Sequence, residues 1–242
     1  GIHLAGGNLG NSLGPMIGGF LIVLVGWRQS LGIFVVPGLA VGLLSILFIR
    51  EPLSIIRGAT GKRQGGILRI LRNKAVIAIT AASTLALFRF RGIASFAPSY
   101  FTAVYGWDIS RTGFLFGIML ASGFFSPLLF GHISDRFGRK SVVILATLSS
   151  ALSIFLMTVK ADIAWTIANL IFVGFTLYSS ASVLQALLAD SVAPELIDLC
   201  FGIFFTFEFL IGTITPLLLG FIIDVGSFEQ AFYVIAVATA LS

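Results

Sequence analysis

The chain has 242 residues, 57% hydrophobic and 10% charged, with a net charge of +5 and a mean hydropathy of +1.06. Soluble domains carry about 45–50% apolar and about 25% charged residues, so this chain has too little charged side chain to solvate a water-soluble surface. A soluble enzyme and a single-pass receptor are excluded, and an integral multi-pass membrane protein is expected, surrounded by lipid. One cysteine, Cys200, cannot form an intramolecular disulfide, and with only His3 and His132 beside it there is no metal-ligand cluster. No metal or other cofactor is expected.

Eight apolar runs follow in chain order: 6–25, 30–48, 76–101, 113–130, 142–159, 164–188, 201–221 and 228–241. At about 20 residues per span they predict eight transmembrane helices, the last one short. Pro15, Pro37, Pro98, Pro127 and Pro216 fall inside these runs and are expected to kink them, which a membrane bundle tolerates because neighbouring helices re-satisfy the freed carbonyls.

Between the second and third runs lie Arg50, Arg57, Lys62, Arg63, Arg69, Arg72 and Lys74 against the single acid Glu51, and Arg136, Arg139 and Lys140 follow the fourth run. The positive-inside rule puts both loops in the cytoplasm. The high pI therefore encodes orientation rather than nucleic-acid binding. The opposite loops hold Arg28, Arg111 and Lys160, and Trp27, Trp107 and Trp165 mark that outer boundary as an aromatic belt. The loop with Asp190, Glu195 and Asp198 is acidic yet cytoplasmic by parity. Ile67, Leu68, Ile70 and Leu71, interleaved with Arg69 and Arg72, predict a short interfacial helix inside a linker between two halves.

An internal echo supports halves: 15–22 (PMIGGFLI) resembles 216–223 (PLLLGFII), six spans apart. With six helices per repeat, residues 1–50 are the last two helices of a first bundle, 51–74 a cytoplasmic linker and 75–242 a second bundle. About four spans are expected before Gly1, in a longer protein that begins elsewhere.

Two strings carry a family resemblance. In the first run, GNSLGPMIGG at 10–19 spaces Gly10, Gly14 and Gly18 four residues apart and so bares one helix face for close packing. The whole string, with Pro15 and Gly19, resembles the antiporter motif of the major facilitator superfamily. After the fourth run, GHISDRFGRK at 131–140 resembles that superfamily's loop motif, with Ile133 in place of Leu.

The likeness covers the chain as the superfamily's helices five to twelve, nearest to its fosmidomycin-resistance-like and drug-efflux branches. It implies an all-α transporter fold working as a monomer by alternating access in a prokaryotic inner membrane. The expected partners are a small-molecule substrate and protons; the alternatives are organic-anion uptake and a transporter-like sensor. It also implies a cytoplasmic gate built on Gly131, Asp135, Arg136, Gly138, Arg139 and Lys140. Asp135 is expected to cap a helix end, and Arg136 and Arg139 to pair with Asp190 and Glu195.

Charges within the runs are the remaining candidates. Arg89 and Arg91 lie 15 and 17 residues beyond Lys74, roughly 22–26 Å deep at 1.5 Å per residue, on opposite faces of one helix. Arg91 shares a polar stripe with Thr84, Ser95 and Ser99 and is the expected substrate-side residue. Glu208 is the acid well inside the seventh run and is expected to partner Arg89 or to carry a proton. Tyr178, Ser182 and Gln185 follow at i, i+4 and i+7, a polar face suited to a substrate. No nucleophile elbow or paired catalytic carboxylates occur in the runs, so an enzyme is not expected.

Overall fold

A computed structural model describes residues 2–48 and 66–242. The described residues are helical throughout: α1 (Ile2–Val25), α2 (Trp27–Phe48), α3 (Gly66–Arg72), α4 (Lys74–Tyr105), α5 (Ile109–Ser122), α6 (Ser126–Phe137), α7 (Arg139–Met157), α8 (Ile163–Leu177), α9 (Ala181–Asp190), α10 (Ile197–Val225) and α11 (Phe228–Ala240). A single 3-10 turn, Pro194–Leu196, precedes α10. Among the described residues six segments are long and apolar enough to cross a membrane: Trp27–Phe48, Lys74–Tyr105, Ile109–Phe137, Arg139–Met157, Ile163–Asp190 and Pro194–Val225. Two shorter apolar stretches, Gly10–Val25 and Phe228–Ala240, complete the eight expected from the sequence. The linker lies outside the described residues as far as 65, and its interfacial helix appears as α3.

The loop residues dictate the helix ends. Asn73 accepts from the Ala75 and Val76 amides to cap α4 (3.0 and 3.4 Å), Asp108 from Arg111 to cap α5 (2.8 Å) and Asp162 from Trp165 to cap α8 (2.8 Å). Each side-chain oxygen satisfies a donor that the first turn leaves free. Gly106, at φ +66°, ends α4 in the left-handed region. Beside it Trp107 stacks on Phe101 at 5.0 Å and carries the Arg111 guanidinium 5.0 Å from its ring centre. An aromatic and cationic collar thus surrounds this end of the helix, where the sequence leads one to expect the outer boundary.

Pro15, Pro37, Pro98 and Pro216 sit inside continuous helices. Pro127 does not: the fourth run is broken at 123–125, and Pro127 stands in the first turn of α6, where a missing N–H costs nothing. The sixth run is broken too, at Tyr178–Ser180 between α8 and α9.

These breaks are packed on each other. A Cβ at Gly174 would stand 1.5 Å from the Met119 carbonyl oxygen and 2.3 Å from Ser122 Oγ, and one at Gly123 would meet the Tyr178 ring at 2.3 Å. Ser122 Oγ also donates to the Ile171 carbonyl at 2.9 Å. Glycine is required at both positions because backbone is pressed against backbone there.

Candidate functional site

The antiporter-like string does pack closely on another helix, but not through the face expected. Gly10 and Gly14 meet nothing within 4 Å among the described residues, and Gly18 meets only the Phe34 ring at 3.6 Å. The close approach uses the neighbouring face, where Ser12, Pro15, Met16 and Gly19 lie on Gly113 and Gly117 of α5. A Cβ on Gly113 would lie 2.7 Å from the Pro15 carbonyl oxygen and 3.0 Å from Gly19 Cα. The partner helix explains the difference: Gly113 and Gly117 leave one face of α5 without side chains, and the α1 backbone nests there. This seam joins α1 to α5 from Ser12 to Gly19. Gly10 and Gly14, on the other side of α1, and Gly131 on α6 are without a close neighbour among the described residues.

Beside the seam, α4 carries the polar stripe. Arg91, Ser95 and Ser99 are exposed and Thr84 is half-buried. Arg91 runs its stem past α10, with its Cγ 3.5 Å from where a Cβ on Gly212 would be. Below it, a cavity of about 460 Å³ opens between α3, α4 and α10, walled by Ile70, Val76, Thr84, Ile203, Phe207 and Ile211. A second, of about 420 Å³, lies at the outer end, where Ser99 and Thr102 face Pro15, Gly19 and Gly113 across the seam.

Arg89, on the opposite face of α4, is 1% exposed. It does not pair with Glu208. Its Nη2 donates to the Leu177 carbonyl at 2.9 Å and to Ser180 Oγ at 3.2 Å, so it closes the break between α8 and α9. The geometry has a clear cause: the last carbonyls of α8 have lost their helical donors, and a cation at a helix C-terminus is stabilised by up to about 2 kcal/mol. Glu208 lies two turns away on α10, against the Ser83 hydroxyl.

The stripe expected of Tyr178, Ser182 and Gln185 is interrupted by the same break. Tyr178 belongs to the end of α8, with its ring 5.4 Å from that of Phe90, whereas Ser182 and Gln185 start the new helix α9. Ser182 Oγ donates to the Pro127 carbonyl at 3.3 Å, which ties one break to the other; Gln185 remains half-buried.

In the loop motif, Arg139 is ion-paired with Asp190, the one such pair among the described residues. Asp135 makes no cap: α7 begins just after Gly138, whose φ of +85° turns the chain, with no side-chain hydrogen bond at the helix start. The turn places Arg139, rather than Asp135, against the neighbouring chain. Arg136, Lys140 and Glu195 are exposed and make no ion pair among the described residues. Asn73 Nδ2 donates to the Ser191 carbonyl at 2.9 Å, so the start of α4 and the end of α9 are fastened next to the Arg139–Asp190 pair.

Sequence reasoning missed Asn11, the side chain of α1 that faces Tyr178 from across the seam. The available signal was its place four residues before Pro15, on the same face of α1. It also missed the two breaks, whose signals were Pro127 and the Tyr178-Ser179-Ser180 run.

Comparison with known proteins agrees with this fold. The model of the Major Facilitator Superfamily matches residues 1–128 and, again, 82–242. The chain is 28% identical over 242 residues to the fosmidomycin resistance protein of Escherichia coli (strain K12), covering 97% of this chain and 58% of that protein. It is 25% identical to an uncharacterized MFS-type transporter of Bacillus subtilis (strain 168), with the same coverage of each. A probable galactarate/D-glucarate transporter of Escherichia coli (strain K12) is 27% identical over 150 residues, 58% of this chain and 33% of the relative. The chain therefore spans about three fifths of the length of the relatives it matches end to end.

Proposed function

The chain belongs to the Major Facilitator Superfamily, and from that premise we propose that it serves in proton-coupled efflux of a small organic compound by alternating access in a bacterial inner membrane. The observation that carries this reading is the seam between α1 and α5, where Gly19 and Pro15 lie on Gly113 and Ser12 and Met16 on Gly117, backbone against backbone. Two bundles that rock so as to make and break such a contact expose a midplane site to one side at a time.

In this reading Arg91, Ser95 and Thr84 face the substrate path, and the apolar cavity beneath them takes a lipophilic body. Glu208, inside the membrane and beside Ser83, carries the proton. The Arg139–Asp190 pair belongs to the cytoplasmic gate, forming and breaking with the state of the bundles. Efflux is favoured by the likeness along 97% of the chain to a protein named for drug resistance.

Uptake of an organic anion is a second reading, favoured by the exposed Arg91 and by similarity to a probable sugar-acid transporter. The test is the full-length protein in liposomes with a pH-sensitive dye inside, challenged with lipophilic drugs and with small organic acids. Proton flux opposite to a drug supports efflux, and flux in the direction of an acid supports anion uptake. Folded protein that moves neither solute nor protons with any compound contradicts both.

A further inference from the structure

The cavity of about 460 Å³ between α3, α4 and α10 has a charged rim that the transport reading leaves unused. Its α4 wall runs from Val76 to Leu85 and its α10 wall from Ile203 to Ile211, roughly 12–14 Å at 1.5 Å per residue. That is about the depth of one leaflet in a hydrocarbon core about 30 Å thick. Apart from Thr80 and Thr84 the lining is apolar, and the Thr84 hydroxyl is donated to the Thr80 carbonyl of its own helix at 2.7 Å. Leu71, Ile77 and Phe207 in the wall are about half exposed, so the cavity is open at the side.

At the end that the basic loops mark as cytoplasmic, α3 roofs the cavity. Ile70 is buried under it, and a Cβ at Gly66 would lie 3.1 Å from the side chains of both Leu196 and Leu199, so α3 is seated on the start of α10. Arg69, Arg72 and Lys74 stand exposed at this end, and none of them forms an ion pair among the described residues. Glu195 and Asp198, the acids where α10 begins, are exposed too and engage none of the three. Lys74 precedes Ile77 by three positions and Ala81 by seven, so it shares the face of α4 that walls the cavity. Arg72 follows the lining residue Leu71 at the end of α3. An apolar slot one leaflet deep, open at the side and rimmed by unpaired cations at the interface, fits an amphiphile with an anionic head and a hydrocarbon tail.

We propose that an anionic phospholipid binds here, with one acyl chain in the cavity and its phosphate at Arg72 and Lys74. The site goes beyond the transport reading and does not need it; under that reading the chain and a lipophilic solute take the cavity in turn.

The test is native mass spectrometry of the delipidated full-length protein in detergent, titrated with phosphatidylglycerol and with phosphatidylcholine carrying the same two oleoyl chains. One phosphatidylglycerol is expected to bind saturably, and at least tenfold more tightly than phosphatidylcholine. A basic residue near the surface contributes about fivefold toward an anionic lipid, so Arg72→Gln with Lys74→Gln is expected to lower that affinity about 25-fold and to remove the preference. Ala81→Trp fills the slot from an exposed position while leaving the rim intact, and it is expected to weaken phosphatidylglycerol binding at least tenfold.

No saturable binding to the unmutated protein, as when another part of the full-length chain closes the cavity, overturns the proposal. Equal affinities for the two lipids overturn it as well, and so does an affinity for phosphatidylglycerol unchanged in the double Gln variant or in Ala81→Trp. Transport has no part in this readout, so lipid retained by a protein that moves no solute refutes the transport reading alone.

Discussion

Valine in place of Gly113 tests the seam directly. A Cβ there would stand 2.7 Å from the Pro15 carbonyl oxygen and 3.0 Å from Gly19 Cα, both backbone atoms that no rotamer change can move. Restoring ordinary contact requires α1 and α5 to separate by roughly 0.7 Å or more at this point, and overpacking of this kind costs about 1–3 kcal/mol. The cost falls only on the state in which the outer halves touch, so the balance between states shifts about 5- to 150-fold toward the open outer end. Ser99 lines the outer cavity beside this contact and reports on it. In a Cys200→Ser background, Ser99→Cys is expected to react with a membrane-impermeant maleimide at least fivefold faster when Gly113→Val is added, and transport is expected to fall by at least tenfold. Unchanged labelling with full transport refutes the argument that this contact closes one side.

Three further outcomes follow from the same geometry. Arg91→Ala is expected to abolish transport while leaving the yield and the size-exclusion profile of folded protein intact, because the side chain is exposed and only its stem packs, beside Gly212. Gly174→Ala is expected to prevent recovery of folded protein, since its Cβ would fall 1.5 Å from the Met119 carbonyl oxygen; Gly131→Ala, with nothing within 4 Å, is expected to be neutral in the same fluorescence-detected chromatography. Arg139→Gln and Asp190→Asn, singly and together, are expected to give a coupling energy of about 0.2–1 kcal/mol in thermal unfolding, because the pair is solvent-accessible. Their effect on transport rate is expected to be larger than their effect on stability, as suits a contact that differs between states.

Composition and run length were enough to read the eight helices, because lipid leaves a chain few alternatives to satisfying its own backbone. The caps at Asn73, Asp108 and Asp162 went unread, although their residue types suit the role. The interior of the bundle was not legible. Arg89 and Glu208 are the obvious couple by charge and depth, but the sequence does not say that α8 ends at Leu177 and leaves carbonyls for Arg89 to satisfy. Periodicity likewise assigns Tyr178, Ser182 and Gln185 to one face only while the helix is continuous, and the break at Tyr178–Ser180 resets the phase. In α1 the glycine spacing announced a close approach, whereas the choice of face depended on Pro15 and on the glycines Gly113 and Gly117 a hundred residues away. Pairwise backbone contact is a property of two helices, and one helix's pattern contains half of it.

The most direct test of alternating access is the substrate dependence of two distances across the seam, measured by pulsed spin-label spectroscopy on the full-length protein with Cys200 replaced by Ser. One pair, Val23→Cys with Ile109→Cys, spans the outer ends of α1 and α5, and the other, Leu13→Cys with His132→Cys, reaches toward the cytoplasmic end; all four positions are exposed. Rocking that makes and breaks the contact of Gly19 with Gly113 predicts that substrate widens one distance distribution as it narrows the other. Two distributions that stay fixed, or that move in the same direction, contradict it.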